Sequence, residues 1–217
     1  MVFGKTNVEE PAFKLLFKNT KGFSYEIRQY GQRFAAETAM STENGAFNAL
    51  ARYIGVFGEA ENEGSQSMAM TAPVVKESQG GTSMAMTAPV VKSESAQGGE
   101  FMQFMLPAEY DSLDKIPKPT NPNVHIKVIP PAVGAIHRFS GSFSDDVARG
   151  KVTQLAMQLR QDGLDDVTEE FALNNFLWYG YNPPFTLPPF RRNEVWVPLT
   201  ESQVETLIKG FSASEAN

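Results

Sequence analysis

The only imidazoles in this 217-residue chain are His125 and His137, and it contains no cysteine. Either histidine could give a ring nitrogen to a metal ion. Thiolate ligands, disulfides, cysteine nucleophiles and covalent attachment of a prosthetic group through cysteines are excluded. His125 sits between Val124 and Ile126, so strand alternation turns its ring away from theirs. His137 shares parity with Val133, Ala135 and Phe139 and is expected to face inward. A lone strand histidine is more often a surface or hydrogen-bonded residue than a ligand. Met68, Met70, Met84 and Met86 offer soft thioethers, but methionines alternating with alanine more often fill a core. Arg191-Arg192 could meet an anion, although pairing with nearby acidic groups is the commoner use. Asp145-Asp146 and Asp165-Asp166 lie near expected helix ends, where carboxylates cap or solvate. The chain carries no Gly-x-Ser-x-Gly, phosphate loop, dinucleotide fingerprint or His-Glu-x-x-His. Its side chains therefore name no catalytic group and favour binding.

These residues need elements to position them. Residues 23–39 alternate around Gly31 and read as a strand, a turn and a returning strand. Tyr25 and Ile27 face one way, Glu26 and Arg28 the other. Phe47, Leu50, Ala51 and Ile54 then recur at helical spacing, with Arg52 and Tyr53 beside the stripe and Ser41 or Thr42 as the cap. Such a stripe most often packs into a core. Ser67–Lys76 recurs without mismatch as Ser83–Lys92. The six-residue spacer contains Gly80-Gly81, so the two copies read as strands of a flexible hairpin inserted over 65–95. Further strands are expected at Phe101–Leu106, Val124–Ile129, Val133–Phe139, Phe176–Tyr181 and Glu194–Leu199. A second helix follows Ser144, with Val147, Val152, Leu155, Ala156 and Leu159 on its apolar face. Residues 201–217 read as a tail.

Length and charge bound the partners. One domain over 13–200 is expected, large enough to bury roughly 70% of its unfolded surface. The net charge of −6 and the lack of a basic cluster argue against nucleic acid. No apolar run approaches the roughly 20 residues of a membrane span. The simplest address is cytoplasmic; removal of a targeting segment ahead of Met1 would allow an organelle.

The two parts of the chain resemble each other. Ile27-Arg28 stands against Ile126-Lys127, Gly31 against Pro130, Phe34 against Val133 and Ala36 against Ala135, always 99 residues apart. Each hairpin is followed by an amphipathic helix and more strands. The expectation is an α+β fold: an antiparallel β-barrel of two pseudo-symmetric halves, about 23–106 and 123–199, with two flanking α-helices. Closure would remove exposed sheet edges.

Seven motifs now stand in order. They are Tyr25–Gly31, Met-Ala-Met-Thr-Ala-Pro-Val, Phe104–Pro107, Ile116–Pro122, Arg138–Gly141, Gly180–Pro184 and Arg191–Trp196. Through them the chain resembles the SOUL heme-binding protein family from about Phe13 to Leu199. The family's common pattern has one Met-Thr-Ala-Pro-Val strand where this chain has two. The resemblance implies a distorted antiparallel barrel with two flanking helices, and reversible, non-covalent binding of heme or a related tetrapyrrole.

In the resembled family the first helix lines the heme groove and a basic residue reaches a propionate. The shared turn Tyr53–Gly55 puts Phe47 and Ala51 at pocket positions and Arg52 at the basic one, with Leu50 and Ile54 completing the apolar wall. The family can carry methionines where Phe47 and Ala51 stand and a basic residue at Asn44. His137 and His125 are the candidate axial ligands, although the family can hold heme by apolar contact alone. The resulting expectation is a tetrapyrrole carrier or buffer. Its rivals are a protein-interaction or stress-response module with weak or no tetrapyrrole binding, and a metal-removing enzyme.

Overall fold

The computed structural model describes residues 9–78, 100–142, 144–182 and 186–215. Among these residues nine strands form one antiparallel sheet: β1 (Phe13–Asn19), β2 (Tyr25–Tyr30), β3 (Arg33–Ala39), β4 (Val74–Ser78), β5 (Glu100–Met105), β6 (Val124–Ile129), β7 (Ala132–Phe139), β8 (Leu177–Gly180) and β9 (Asn193–Leu199). Their order is β1-β2-β7-β9-β8-β4-β5-β3-β6. The sheet curls strongly into a half-barrel, so the expected closed barrel is not formed. Its ends, β1 and β6, are not paired with each other.

The strand–turn–strand units at 25–39 and 124–139 are present, but neither is a hairpin. Their strands exchange partners: β2 pairs with β7 and β3 with β6. Tyr30 stands opposite Ala132 and Arg33 opposite Ile129, so the two connectors meet face to face. Sequence alternation fixes which face a residue takes, not which strand it pairs with. The duplicated segment also differs from expectation. Only Val74–Lys76 of the first copy is strand, as the start of β4, which continues into the spacer to Ser78 and lies between β5 and β8. Residues 68–70 run outside the ladder. The second copy lies outside the described residues.

Among the described residues four α-helices rather than two pack on the sheet: α1 (Glu43–Tyr53), α2 (Asp145–Gln161), α3 (Glu169–Asn175) and α4 (Glu201–Glu215). Within the expected tail, α4 buries Val204 and Leu207. All four serve one face of the sheet. On it Ile27, Ala135, Val195 and Val197 meet Val152, Leu155 and Leu159 of α2. Further along the same face, Phe34, Ala36, Met102 and Phe104 meet α1. The concave face holds a third cluster of Tyr30, Ala35, Val75, Met105, Ile136, Tyr179, Tyr181 and Trp196. With both faces covered, polar parity no longer means solvent. Arg28, expected outside, is 5% exposed and bonded to the fully buried Glu194.

Gly134 shows how tightly the concave face is built. A Cβ there would stand 2.4 Å from the Trp196 ring and 2.6 Å from the Val197 carbonyl oxygen. Gly134→Ala should therefore destabilise the fold by about 2 kcal/mol, within the usual cost of overpacking. Urea unfolding checks this; an unchanged midpoint would show that Trp196 yields freely.

Candidate functional site

Helix α1 begins where Thr42, in extended conformation, accepts a hydrogen bond from the Gly45 N–H at 3.1 Å. It ends at Ile54, and Gly55 follows with φ +84°, a conformation glycine adopts without Cβ strain. The cap and stripe read from the sequence are thus both present.

The stripe, however, faces the protein. Leu50 and Ala51 are 0% exposed and Ile54 3%, all within the core beneath α1. Ala36, Ala46 and Ala51 are small enough to let the helix approach the sheet closely. Phe47 is half-buried, its ring edge-on to Phe104 at 5.3 Å. Arg52 projects into solvent and pairs loosely with Glu61 at 3.4 Å. Of the five candidate pigment contacts, Phe47 and Arg52 reach the surface, and Leu50, Ala51 and Ile54 form the floor behind them. Tyr53 is buried and donates to the Pro117 carbonyl at 2.8 Å, clamping the helix to the proline-rich connector.

An open cleft of about 390 Å³ adjoins the N-terminal end of α1. Met40, Phe176 and Trp178 form its apolar wall, and Glu43 and Lys76 face each other across it as an ion pair. The Lys76 ammonium lies 4.5 Å from the Trp178 ring centroid. Glu77, Glu100 and Asp145 also line it, which makes its rim acidic. Sequence reading did not connect these residues with α1. They come from five separated segments, which no local sequence signal joins.

The histidines lie elsewhere. His125 is exposed on β6, turned away from Val124 as alternation required. His137 is 8% exposed, beneath the α2 layer. Its Nδ1 lies 2.7 Å from the Ser24 carbonyl, and its ring stacks on Phe23 at 3.9 Å and on Phe139 at 6.1 Å. Neither contacts α1. Met68 is buried under α1, as a core methionine should be, while Met70 is half-exposed and Met84 and Met86 lie outside the described residues. Arg192 pairs with Glu10 and Glu194, the acidic pairing expected for this dipeptide. Among the described residues no group of three or more His, Cys, Asp or Glu could hold a metal ion. No described helix is long and apolar enough to cross a membrane.

Comparison with known proteins adds to this geometry. A family model described as SOUL heme-binding protein matches residues 8–198. No curated protein matches. Solved structures are only remotely similar. The C-terminal domain of EcmrR is 11% identical, with a TM-score of 0.45 over 81% of this chain and 96% of that one. A hydrolase from Listeria innocua is 11% identical, with a TM-score of 0.47 over 81% of this chain and 91% of its own.

Burial holds the His137 pKa below the ordinary histidine value, with nearby Lys151 adding to the effect and the bond to Ser24 opposing it. The unfolded chain therefore binds a proton that the folded chain refuses. Stability from this site is complete above about pH 6.5 and is lost as pH falls from there toward the folded value. His137→Gln should reduce the drop in urea midpoint between about pH 7.5 and 5.5. An identical drop in the variant would remove His137 from the account.

Proposed function

The chain belongs to the SOUL heme-binding protein family, and on that footing we propose that it binds heme or a related tetrapyrrole without a covalent bond, as a carrier or buffer. The family match over residues 8–198 carries this reading. The pigment lies along the outer side of α1, between the cleft at Glu43 and the guanidinium of Arg52. At 1.5 Å of rise per residue these positions are about 14 Å apart, comparable with a porphyrin and its propionates. The acidic rim at Glu43, Glu77, Glu100 and Asp145 repels carboxylates, so the propionates point toward Arg52 and the bare edge of the ring enters the cleft. Phe47 meets the macrocycle face, and Leu50, Ala51 and Ile54 support that wall. No histidine is needed as axial ligand.

Apolar contact supplies the affinity. Hiding about 400 Å² at about 25 cal/mol per Å² gives about 10 kcal/mol before association costs of several kcal/mol. An exposed ion pair at Arg52 adds only about 0–1 kcal/mol and serves orientation. We also read the domain as two pseudo-symmetric halves with a single core. The support is that β6 begins and ends 99 residues after β2, and that β2·β7 and β3·β6 have equivalent registers. The same reading places the protein in the cytoplasm with a small molecule rather than nucleic acid as partner, in keeping with its net charge of −6. One observation favours a protein-interaction module instead: Leu50, Ala51 and Ile54 are wholly committed to the core.

Hemin titration decides between them. The carrier reading expects a saturable Soret shift near one equivalent. Phe47→Asp should weaken it at least tenfold, and His125→Ala should change it less than twofold. A folded protein without a saturable shift sinks the carrier reading in favour of the interaction module. Loss of iron from the bound pigment over time would instead identify the metal-removing enzyme.

A further inference from the structure

A second cleft, of about 480 Å³, opens between β1, β2 and β7 and the turn at Pro188–Arg192. Five cations line it: Lys18, Arg28, Arg138, Arg191 and Arg192, against Glu26 as the one lining carboxylate. This concentration is anomalous in a chain of net charge −6. Most of these cations have acidic partners. Glu26 takes Lys18 at 3.2 Å and Arg28 at 2.6 Å. The buried Glu194 takes Arg28 at 3.0 Å and Arg192 at 2.9 Å, and Glu10 takes Arg192 at 2.8 Å. Three of the five cations, Lys18, Arg28 and Arg192, thus share three carboxylates. Asp162, the other acid nearby, is occupied by the Tyr25 hydroxyl at 2.6 Å and by Gln158 and Asn19.

Arg138 stands apart. It is exposed at the cleft, and among the described residues it makes no ion pair and no side-chain hydrogen bond. Beside it are the rings of Phe139 and the half-exposed Phe190. The wall carrying Phe190 is pre-organised by backbone bonds: Gly141 N–H to the Pro188 carbonyl at 2.9 Å, and Arg191 N–H to the same oxygen at 3.1 Å. The Arg191 Nε donates to the Thr186 carbonyl at 2.7 Å, which fixes the plane of its guanidinium.

We propose that this cleft is a binding site for a small amphiphilic anion, an aromatic or apolar body bearing a carboxylate, whose charge is received by Arg138. A guanidinium matches a carboxylate with two parallel N–H donors, while the neighbouring rings cover the apolar body. A cleft of this size lies within the usual range for ligands of a few hundred Å³. The site shares no residue with the α1 cleft, so it does not depend on the pigment reading.

The test uses the full-length protein and a fluorescent probe, pyrene-1-butyrate, with its uncharged carboxamide as control. The expected result is saturable binding near one equivalent that weakens with added salt. Arg138→Glu and the carboxamide should each bind at least tenfold more weakly, and Phe47→Asp should bind the probe as the parent does. Because the Arg138 side chain is exposed and unpaired, its variant should keep the parent's circular dichroism. Equal binding of acid and amide, indifference to Arg138→Glu, or loss on Phe47→Asp would each overturn the assignment.

Discussion

The carboxylate of Glu194 has no contact with water and must be matched by protein donors, because an unpaired buried charge is among the costliest defects a fold can carry. Arg28 from β2 bonds both its oxygens, at 3.0 and 3.3 Å. Arg192 adds bonds at 3.1 and 2.9 Å, and the Tyr181 hydroxyl one at 2.7 Å. Arg192 also reaches Glu10, tying the segment before β1 to β9. Burial first, and then the Glu194 charge, hold the Tyr181 phenol well above its usual pKa, so it remains a donor. Burial opposes the charge on Arg28, but the attraction of Glu194 together with the bonds to Tyr30 and Glu26 outweighs it and raises that pKa. Removing one member of such a set typically costs about 3–5 kcal/mol, since the remaining charge stays buried. The concave end of the sheet depends on this cluster being complete.

Around that cluster the two faces of the sheet divide their work. The helix-covered face holds most of the buried apolar residues. The concave face mixes an aromatic centre with polar ends. At one end is the Arg28–Glu194 group. At the other, Lys127 bonds Glu37 at 2.8 Å and Glu77 at 2.6 Å, and Gln103 bonds the same two oxygens. The two clefts have opposite electrostatic characters, an acidic rim beside α1 and a basic one beside β7.

Much of the fold was legible in the sequence, because a strand's period of two and a helix's of 3.6 leave local marks. The strand segments at 25–39 and 124–139, the Thr42 cap and α2 are where those marks put them. Partner exchange between β2 and β3 was not legible, since pairing depends on contacts about a hundred residues apart. The short α3 offered too few turns for a periodic signal. The Phe47–Ile54 stripe was seen, yet its direction could not be read: an amphipathic face has the same spacing over a core as over a ligand. Arg28 and Glu26 alternate as surface residues do, and only the curl of the sheet, which brings Tyr30 and Glu194 to Arg28, makes that guanidinium internal. The basic cleft gathers residues from position 18 to position 192, a set that no sequence window contains.

Among the described residues the unclosed sheet leaves two strands with open hydrogen-bonding rims. On β1 the register slips between Leu15 and Phe17, and the Phe211 ring of α4 sits 4.7 Å from that of Phe17. Lys14 and Lys18 add charge along the same strand, and His125 and Lys127 keep β6 polar on alternate positions. Irregular spacing and charge are poor templates for a visiting strand. A crowded solution of this protein should therefore resist ribbon-like self-association even though the barrel never shuts.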